Sequence, residues 1–187
     1  MGENRSLEPA IVNTGIVNTG RSRMPALAEG DAPKSEPLQF ITFTIGAEEY
    51  GIDIMAVREI KGWTETTIMP KSPSYVRGVI NLRGIIIPIY DLRARFGQGL
   101  TETTKTHVII IISVGTRIIG ILVDAVSDIL AVEVDAIRPP PDMEQKGEDW
   151  FVDGLVALGE RMVTLVSLER LFSEPTGAEA LPAPIQN

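Results

Sequence analysis

The sequence predicts a mainly β fold, built from two small barrels that are related by internal duplication and carry little helix. The first observation is a repeat: residues 76–96 align without a gap on residues 152–172, and residues 51–60 align on residues 120–129. The second is composition, because hydrophobic residues make up 44% of the chain and Ile and Val, which favour strands, are prominent. The third is size, since short strands in two small halves favour closed barrels over sheets with open edges.

Each half begins with a predicted pair of strands joined by a short turn. Residues 40–45 alternate imperfectly between apolar and polar and predict a strand, and residues 46–49 predict a turn. The chain should then return as one second strand over residues 50–60. The apolar run at residues 108–112 predicts a strand covered on both faces. The second half repeats the plan of strand, turn and strand over Val108–Val114, Gly115–Arg117 and Ile118–Ile129.

A short helix is predicted over Lys71 to Gly78, before the first long repeat. Ser72 would be its N-cap and Pro73 its first helical residue, where the missing N–H of proline does no harm. Gly78 would be the left-handed residue that ends it.

A tight hairpin is predicted next, followed by a closing turn of helix. Residues 79–82 and 85–89 form its strands around a turn at Arg83 and Gly84. Asp91 and its counterpart in the second copy, Ser167, are both good helix N-caps. The closing helices should therefore run over Leu92–Phe96 and Leu168–Phe172.

The predicted domain organisation is one duplicated domain between two tails. Residues 1–37 predict a disordered N-terminal tail, which includes the tandem pentapeptide of residues 11–20, and residues 173–187 predict a flexible C-terminal tail. The domain between them, residues 38–172, divides at about residue 100 into subdomains of about 38–100 and 101–172. Two similar halves can exchange a strand, and the first strand can belong to the second barrel.

Charge and composition exclude several classes of partner. The net charge is −8 and the pI about 4.7, which disfavours nucleic acid and anionic membranes, since both select clustered Lys and Arg. No apolar run is long enough for a membrane span, so direct membrane insertion is not expected. The chain has no cysteine, and hence no disulfide or thiolate metal site. A cytoplasmic protein is the simplest interpretation.

The sequence offers no convincing catalytic or metal site. His107 is the single histidine, which leaves almost nothing for a Ser–His pair or a metal cluster. Asp53 and Asp124 do not occupy equivalent positions in the repeat and so do not form a symmetric carboxylate pair. Gly97 and Gly99 do not form a phosphate-binding loop before a helix. We expect no catalysis and no cofactor.

A difference between the two copies gives the first indication of a binding site. Asn81 and Arg83 of the first copy correspond to Ala157 and Gly159 of the second, so the fold does not require polar side chains there. Arg83 carries a planar guanidinium suited to a carboxylate on a partner, and Asn81 both donates and accepts hydrogen bonds. The alternative is that both residues serve only the hairpin turn, where such residues are common.

Five motifs stand in series along the chain: Tyr50–Ile60 (YGIDIMAVREI), Gly78–Gly84 (GVINLRG), Ile87–Leu92 (IPIYDL), Gly120–Val126 (GILVDAV) and Ile137–Pro139 (IRP). In their order and spacing, the residues from Leu38 to Phe172 resemble the CheW family of chemotaxis coupling proteins. This resemblance implies two intertwined SH3-like, five-stranded β-barrels with a groove between them.

The resemblance also implies a function, that of an adaptor without catalysis. Proteins of the family link the cytoplasmic tips of methyl-accepting chemoreceptors to the histidine kinase CheA, whose regulatory domain shares their fold. Adaptor and kinase domains alternate in rings that join receptors into arrays at the inner face of the membrane.

Individual residues are carried over from the family by motif match. Val57 and Glu59 are candidate partner contacts, and Gly78 and Arg83 lie where the family pattern points to receptor coupling. Val123 and Val126 resemble the face that meets the kinase domain. With Asn81, the predicted receptor and kinase interface comprises Val57, Glu59, Gly78, Asn81, Arg83, Val123 and Val126.

Two alternatives stay open from the sequence. The first is an adaptor of the same fold that serves another chemosensory-type array, such as one governing surface motility. The second is a small-ligand-binding barrel that uses the groove between the halves, although aromatic residues, at 5%, are few for a stacking site.

Overall fold

The computed structural model describes residues 36–141 and 151–173, and within them the predicted mainly β fold is confirmed. Each half of the sequence contributes one short α-helix, α1 (Leu92–Arg95) in the first half and α2 (Leu168–Leu171) in the second. The strands are β1 (Leu38–Ile45), β2 (Glu48–Asp53), β3 (Val57–Gly62), β4 (Val76–Leu82), β5 (Ile85–Asp91), β6 (Val108–Val114), β7 (Arg117–Val123), β8 (Ala125–Val132), β9 (Val152–Leu158) and β10 (Arg161–Val166). The predicted tails lie outside the described residues, apart from positions 36, 37 and 173.

The strands form two five-stranded sheets of matching topology. Barrel A has the order β8-β1-β2-β10-β9, and barrel B has the order β3-β6-β7-β5-β4. Each barrel combines the first hairpin of one half of the sequence with the last three strands of the other half. The sheets therefore do not follow the division at about residue 100, because a two-stranded hairpin is exchanged in each direction.

The exchange explains why two predicted strands are wrong. Residues 50–60 and 118–129 were each expected to form one strand, but the chain passes from one sheet to the other inside both segments. In the first, Asp53 caps a 3-10 turn at residues 54–56 by accepting a bond from the Met55 N–H, 2.8 Å away. In the second, Asp124 separates β7 from β8, and its N–H donates to the carbonyl of Thr44.

Strand β6 is covered on both faces, as predicted. Ile109 and Ile111 point into barrel B, whereas Ile110 and Ile112 join a central cluster between the barrels, and none of the four is more than 1% exposed. Alternate side chains of one strand thus fill two cores. The central cluster contains residues of both sheets, so burial between the barrels holds the exchanged halves together.

Backbone bridges close each sheet upon itself. Thr67, in the segment after β3, exchanges two hydrogen bonds of 2.9 Å with Val79 on β4. Arg138, in the segment after β8, pairs in the same way with Leu155 on β9, at 2.9 and 2.8 Å. The two copies of the repeat therefore build equivalent closures.

The predicted helix over residues 71–78 is wrong. Residues 70–71 and 74–75 form turns, residues 76–78 begin β4, and the Ser72 hydroxyl donates to the carbonyl of Met69 instead of capping a helix. Gly78 lies within β4 at an irregularity in the pairing with β5, with φ +129°. A Cβ atom at this position would lie 2.2 Å from the Thr67 carbonyl oxygen, so the bridge to β4 requires glycine here.

The predicted caps of the closing helices are confirmed. The Ala94 N–H donates to Asp91 Oδ1 at 3.2 Å, and the Arg170 N–H donates to the Ser167 hydroxyl at 3.4 Å. Asp91 is fully buried and also accepts bonds from the Thr101 N–H and hydroxyl at 2.8 and 2.7 Å. Asp91 therefore also holds Thr101, in the connection between the two halves, against the end of β5.

Candidate interaction surface

The β4–β5 hairpin presents the polar residues that the second copy lacks. Arg83 and Gly84 both have positive φ, +54° and +89°, the combination that a tight two-residue hairpin turn requires. The Gly84 N–H donates to Asn81 Oδ1 at 2.8 Å, so Asn81 does support the turn. The equivalent β9–β10 hairpin forms with Ala157 and Gly159 instead, so the turn does not depend on these side chains.

An ion pair connects this hairpin to the opposite edge of barrel B. Arg83 Nη2 lies 3.0 Å from Glu59 Oε2 on β3, and the two side chains are 79% and 29% exposed. Since β3 and β4 are the two edge strands of the sheet, closure of the barrel is what brings the pair together. An exposed pair of this kind contributes about 0–1 kcal/mol to stability, so it can be broken cheaply.

A shallow depression of about 410 Å³ extends this surface. It opens to solvent, and the cross-strand pair Asn81 and Ile86 forms part of its wall. Ile86, in the apolar run of β5, is 46% exposed. The lining is Lys61, Thr64, Glu65, Thr67, Val79, Ile80, Asn81 and Ile86. We call the set Glu59, Lys61, Asn81, Arg83 and Ile86 the hairpin surface.

The structure does not bring all predicted contact residues to this surface. Val57 begins β3 and is half-buried against the central cluster. Gly78 is buried, and its lack of a side chain serves the backbone bridge to Thr67.

The prediction of Val123 as a contact residue needs correction, while Val126 remains a candidate. The Val123 side chain is 1% exposed, because β7 is an interior strand of its sheet and this residue packs in the central cluster. A partner cannot reach it in this conformation. Val126 is half-buried on β8, an edge strand of barrel A.

A packed seam of aromatic side chains joins the two barrels. Phe96 stacks on Phe151 with ring centroids 4.7 Å apart, and Tyr90 meets Phe172 edge-on at 5.0 Å. Aromatic residues make up only 5% of the chain, so the composition did not indicate that they cluster between the barrels. Seven aromatic residues lie in or against the central cluster: Phe43, Tyr50, Tyr75, Tyr90, Phe96, Phe151 and Phe172.

No group of three His, Asp or Glu residues within 36–141 and 151–173 is placed to hold a metal ion. His107 accepts a bond at Nδ1 from the Thr104 N–H, and its Nε2 lies 3.6 Å from Asp124. No helix in this part of the chain is long and apolar enough to cross a membrane.

The two barrels exchange hairpins, pack along a shared seam and differ in the side chains that their exposed hairpins carry, which defines a two-barrel interaction module. The family model described as the CheW-like domain matches residues 39–176. The chain therefore belongs to the CheW family, a family of chemotaxis scaffold proteins, as its motifs indicated.

Individual relatives agree with this assignment. The chain is 49% identical over 142 residues to the probable chemotaxis protein CheW of Rhizobium etli, which covers 76% of this chain and 91% of the relative. It is 44% identical over 135 residues to the chemotaxis protein CheW of Klebsiella aerogenes, covering 72% and 81%. The crystal structure of the scaffolding protein TtCheW from Thermoanaerobacter tengcongensis superposes with a TM-score of 0.69 at 35% identity, covering 78% of this chain and 98% of that one.

Proposed function

We propose that this protein couples the cytoplasmic tips of chemoreceptors to the regulatory domain of the histidine kinase CheA, as a cytoplasmic adaptor without catalysis. The observation that supports this proposal most is that the hairpin of the first copy carries two polar residues, Asn81 and Arg83, which the second copy does not have. In the second copy, the positions of Asn81 and Arg83 hold Ala157 and Gly159. Duplicated barrels whose hairpins carry different exposed side chains are suited to binding two different partners.

The Arg83–Glu59 pair is suited to exchange for a contact with a partner. The arginine side chain is 79% exposed, and its guanidinium has five N–H donors in a planar fork, so it can meet a second carboxylate while it holds the first. Replacement of the internal partner by a receptor carboxylate would cost little, because the exposed pair is weak.

We assign the two barrels to different partners. The hairpin surface of barrel B, with its charges and the exposed Ile86, would contact the receptor tip. Strand β8 of barrel A, with Val126, would contact the kinase domain. In this arrangement one rigid body, joined by the packed seam, holds the receptor and the kinase in a fixed relation.

A charge swap between Arg83 and Glu59 distinguishes direct contact of Arg83 with the receptor from a role of the ion pair within the protein alone. Arg83→Glu and Glu59→Arg would each place two like charges together, and the double variant would restore an ion pair of reversed order. If Arg83 contacts the receptor, Arg83→Glu weakens binding of receptor cytoplasmic fragments by tenfold or more, about 1.4 kcal/mol, and the double variant does not recover. Binding is measured by titration calorimetry, with circular dichroism as the check on folding.

Arg161 supplies a matched control on the other barrel. It follows the β9–β10 turn, is 69% exposed and pairs with Glu49 at 3.2 Å, so Arg161→Glu makes the same chemical change away from the hairpin surface. Receptor affinity should be unchanged in this variant. Recovery of receptor binding in the double charge-swap variant would assign the pair an internal role and argue against the proposed site.

A further inference from the structure

Arg77 is a half-buried cation in the barrel that carries the hairpin surface. It lies on β4 between Val76 and Gly78, where the pairing with β5 shifts by one residue. Its guanidinium lies over the ring of Trp63, 5.8 Å from the ring centroid, and its Nη1 is 3.7 Å from Oδ2 of the fully buried Asp91. The side chain is 22% exposed, so most of it is shielded from water. Arg77 therefore joins the segment that follows β3 to the end of β5.

The second copy of the repeat has an exposed ion pair in place of this contact. Arg77 corresponds to Asp153, which also stands at a shift in strand pairing and pairs with Arg170 on α2. The side chains of Asp153 and Arg170 are 54% and 47% exposed. Counted back from the equivalent backbone bridges, Val134 stands where Trp63 does. The duplicated fold therefore does not require an arginine stacked on an aromatic ring at this place.

Trp63 begins the segment that forms one wall of the depression beside the hairpin. Its N–H donates to the carbonyl of His107 at 2.8 Å, and its ring packs against the core of barrel B. At the other end of the segment, the Thr66 hydroxyl donates to the Arg77 carbonyl at 2.7 Å, and the backbone bridge to β4 holds Thr67. The residues of this segment that line the depression are Thr64, Glu65 and Thr67. The wall is therefore fixed at its start through Trp63 and at its end through β4.

We propose that Arg77 is a positioning residue of the receptor contact, which holds the ring of Trp63 and thereby fixes the wall formed by residues 64–67 without touching the receptor. This inference rests on the proposed contact between the hairpin surface and the receptor tip. Arginine suits the role, because its planar guanidinium can stack on the ring while it stays close to the Asp91 carboxylate. A wall that is not held must be ordered when the receptor binds, and this ordering lowers the affinity.

Receptor affinity in an Arg77→Gln variant tests the proposal. Glutamine removes the cation, whereas Arg77→Lys keeps a charge that can lie over the ring and close to Asp91. We expect Arg77→Gln to weaken binding of receptor cytoplasmic fragments about fivefold or more in titration calorimetry, and Arg77→Lys to recover most of this loss. Arg170→Gln breaks the exposed ion pair of the second copy and should bind as the wild type does. Urea unfolding establishes that each variant is folded, and wild-type affinity in Arg77→Gln would overturn the proposal.

A second background distinguishes positioning from direct contact with the receptor. If Arg77 acts through the ring, Arg77→Gln should cause no further loss of affinity once Trp63→Leu has been introduced, because the two substitutions then remove the same interaction. An equal loss in both backgrounds would overturn the proposal, since Arg77 would then act on the receptor by itself.

Tryptophan fluorescence gives a measurement that needs no receptor. The chain has two tryptophans, Trp63 and Trp150, so Trp150→Phe leaves Trp63 as the single reporter. Loss of the guanidinium uncovers one face of the ring, so acrylamide should quench Trp63 about twofold more efficiently in Arg77→Gln. Unchanged quenching would overturn the proposal. A wild-type protein that does not bind receptor fragments would contradict the proposed function instead, and the quenching would still decide whether Arg77 holds the ring.

Discussion

Replacement of Gly78 by alanine tests the structural role that the fold gives this residue. Gly78 has φ +129°, and the carbonyl oxygen of Thr67 occupies the space that a side chain would need, 2.2 Å from an ideal Cβ. The obstacle is backbone, which cannot move away as the end of a flexible side chain could. The bridge between Thr67 and Val79 would therefore have to open or shift.

The cost follows from two contributions. A non-glycine residue forced into this backbone region costs about 1–3 kcal/mol. Loss of the two hydrogen bonds of 2.9 Å between Thr67 and Val79 adds about 1 kcal/mol each. We therefore expect Gly78→Ala to lower the free energy of unfolding by about 3–5 kcal/mol. Urea denaturation followed by circular dichroism measures this change.

Substitutions at two other glycines of barrel B distinguish the cost of the steric clash from the cost of the positive φ. Gly84 has φ +89° but open space around its Cβ position, so Gly84→Ala should cost only about 1–2 kcal/mol. Gly62 has neither a positive φ nor a close neighbour, and Gly62→Ala should change stability by less than about 1 kcal/mol. A Gly78→Ala protein as stable as Gly62→Ala would refute the structural role. If the reasoning holds, loss of receptor coupling in a Gly78 variant cannot be taken as evidence of direct contact.

Two further predictions concern buried polar groups. Asp91→Ala leaves the Thr101 N–H and hydroxyl without their acceptor and should lower the free energy of unfolding in urea by about 3 kcal/mol. Ser167→Ala removes a weaker cap and should lower it by about 1 kcal/mol. Equal losses in the two variants would contradict the difference in burial between Asp91 and Ser167. Burial, and then the hydrogen bond to Glu48, raise the pKa of the Tyr50 phenol above its ordinary value. The folded state therefore keeps this proton at a pH where the unfolded state loses it, so stability falls as the pH rises above about 10. Tyr50→Phe should reduce this fall, measured as unfolding free energy between pH 8 and 11, and an identical fall in both proteins would refute the assignment.

The repeat predicted two equivalent β units because both copies must fill equivalent cores. It could not show which sheet each hairpin joins, since Gly51 and Gly120 align equally well whether or not the hairpins are exchanged. The apolar pattern over residues 50–60 also continues through the crossing between sheets, so the sequence predicted one strand where the structure has two. The exchange depends on packing between distant segments, which a local pattern does not contain.

The polar part of the candidate surface could be predicted, whereas its apolar part could not. Asn81 and Arg83 stood out because the second copy has different residues there. The proximity of Arg83 to Glu59 depends on barrel closure, and the exposure of Ile86 depends on how far the hairpin projects. Val123 was predicted to contact a partner because it stands in a family motif, but the structure buries it in the central cluster.

Receptor-dependent kinase activity tests the proposed coupling role most directly. Autophosphorylation of CheA is measured in a mixture with receptor cytoplasmic fragments on vesicles, with and without this protein. We predict stimulation that requires the protein, is lost with Arg83→Glu and is kept with the folded control Arg161→Glu. Absence of stimulation by the folded wild-type protein with its cognate receptor and kinase would contradict the coupling role. Equal stimulation by the wild type and Arg83→Glu would contradict the hairpin surface as its site.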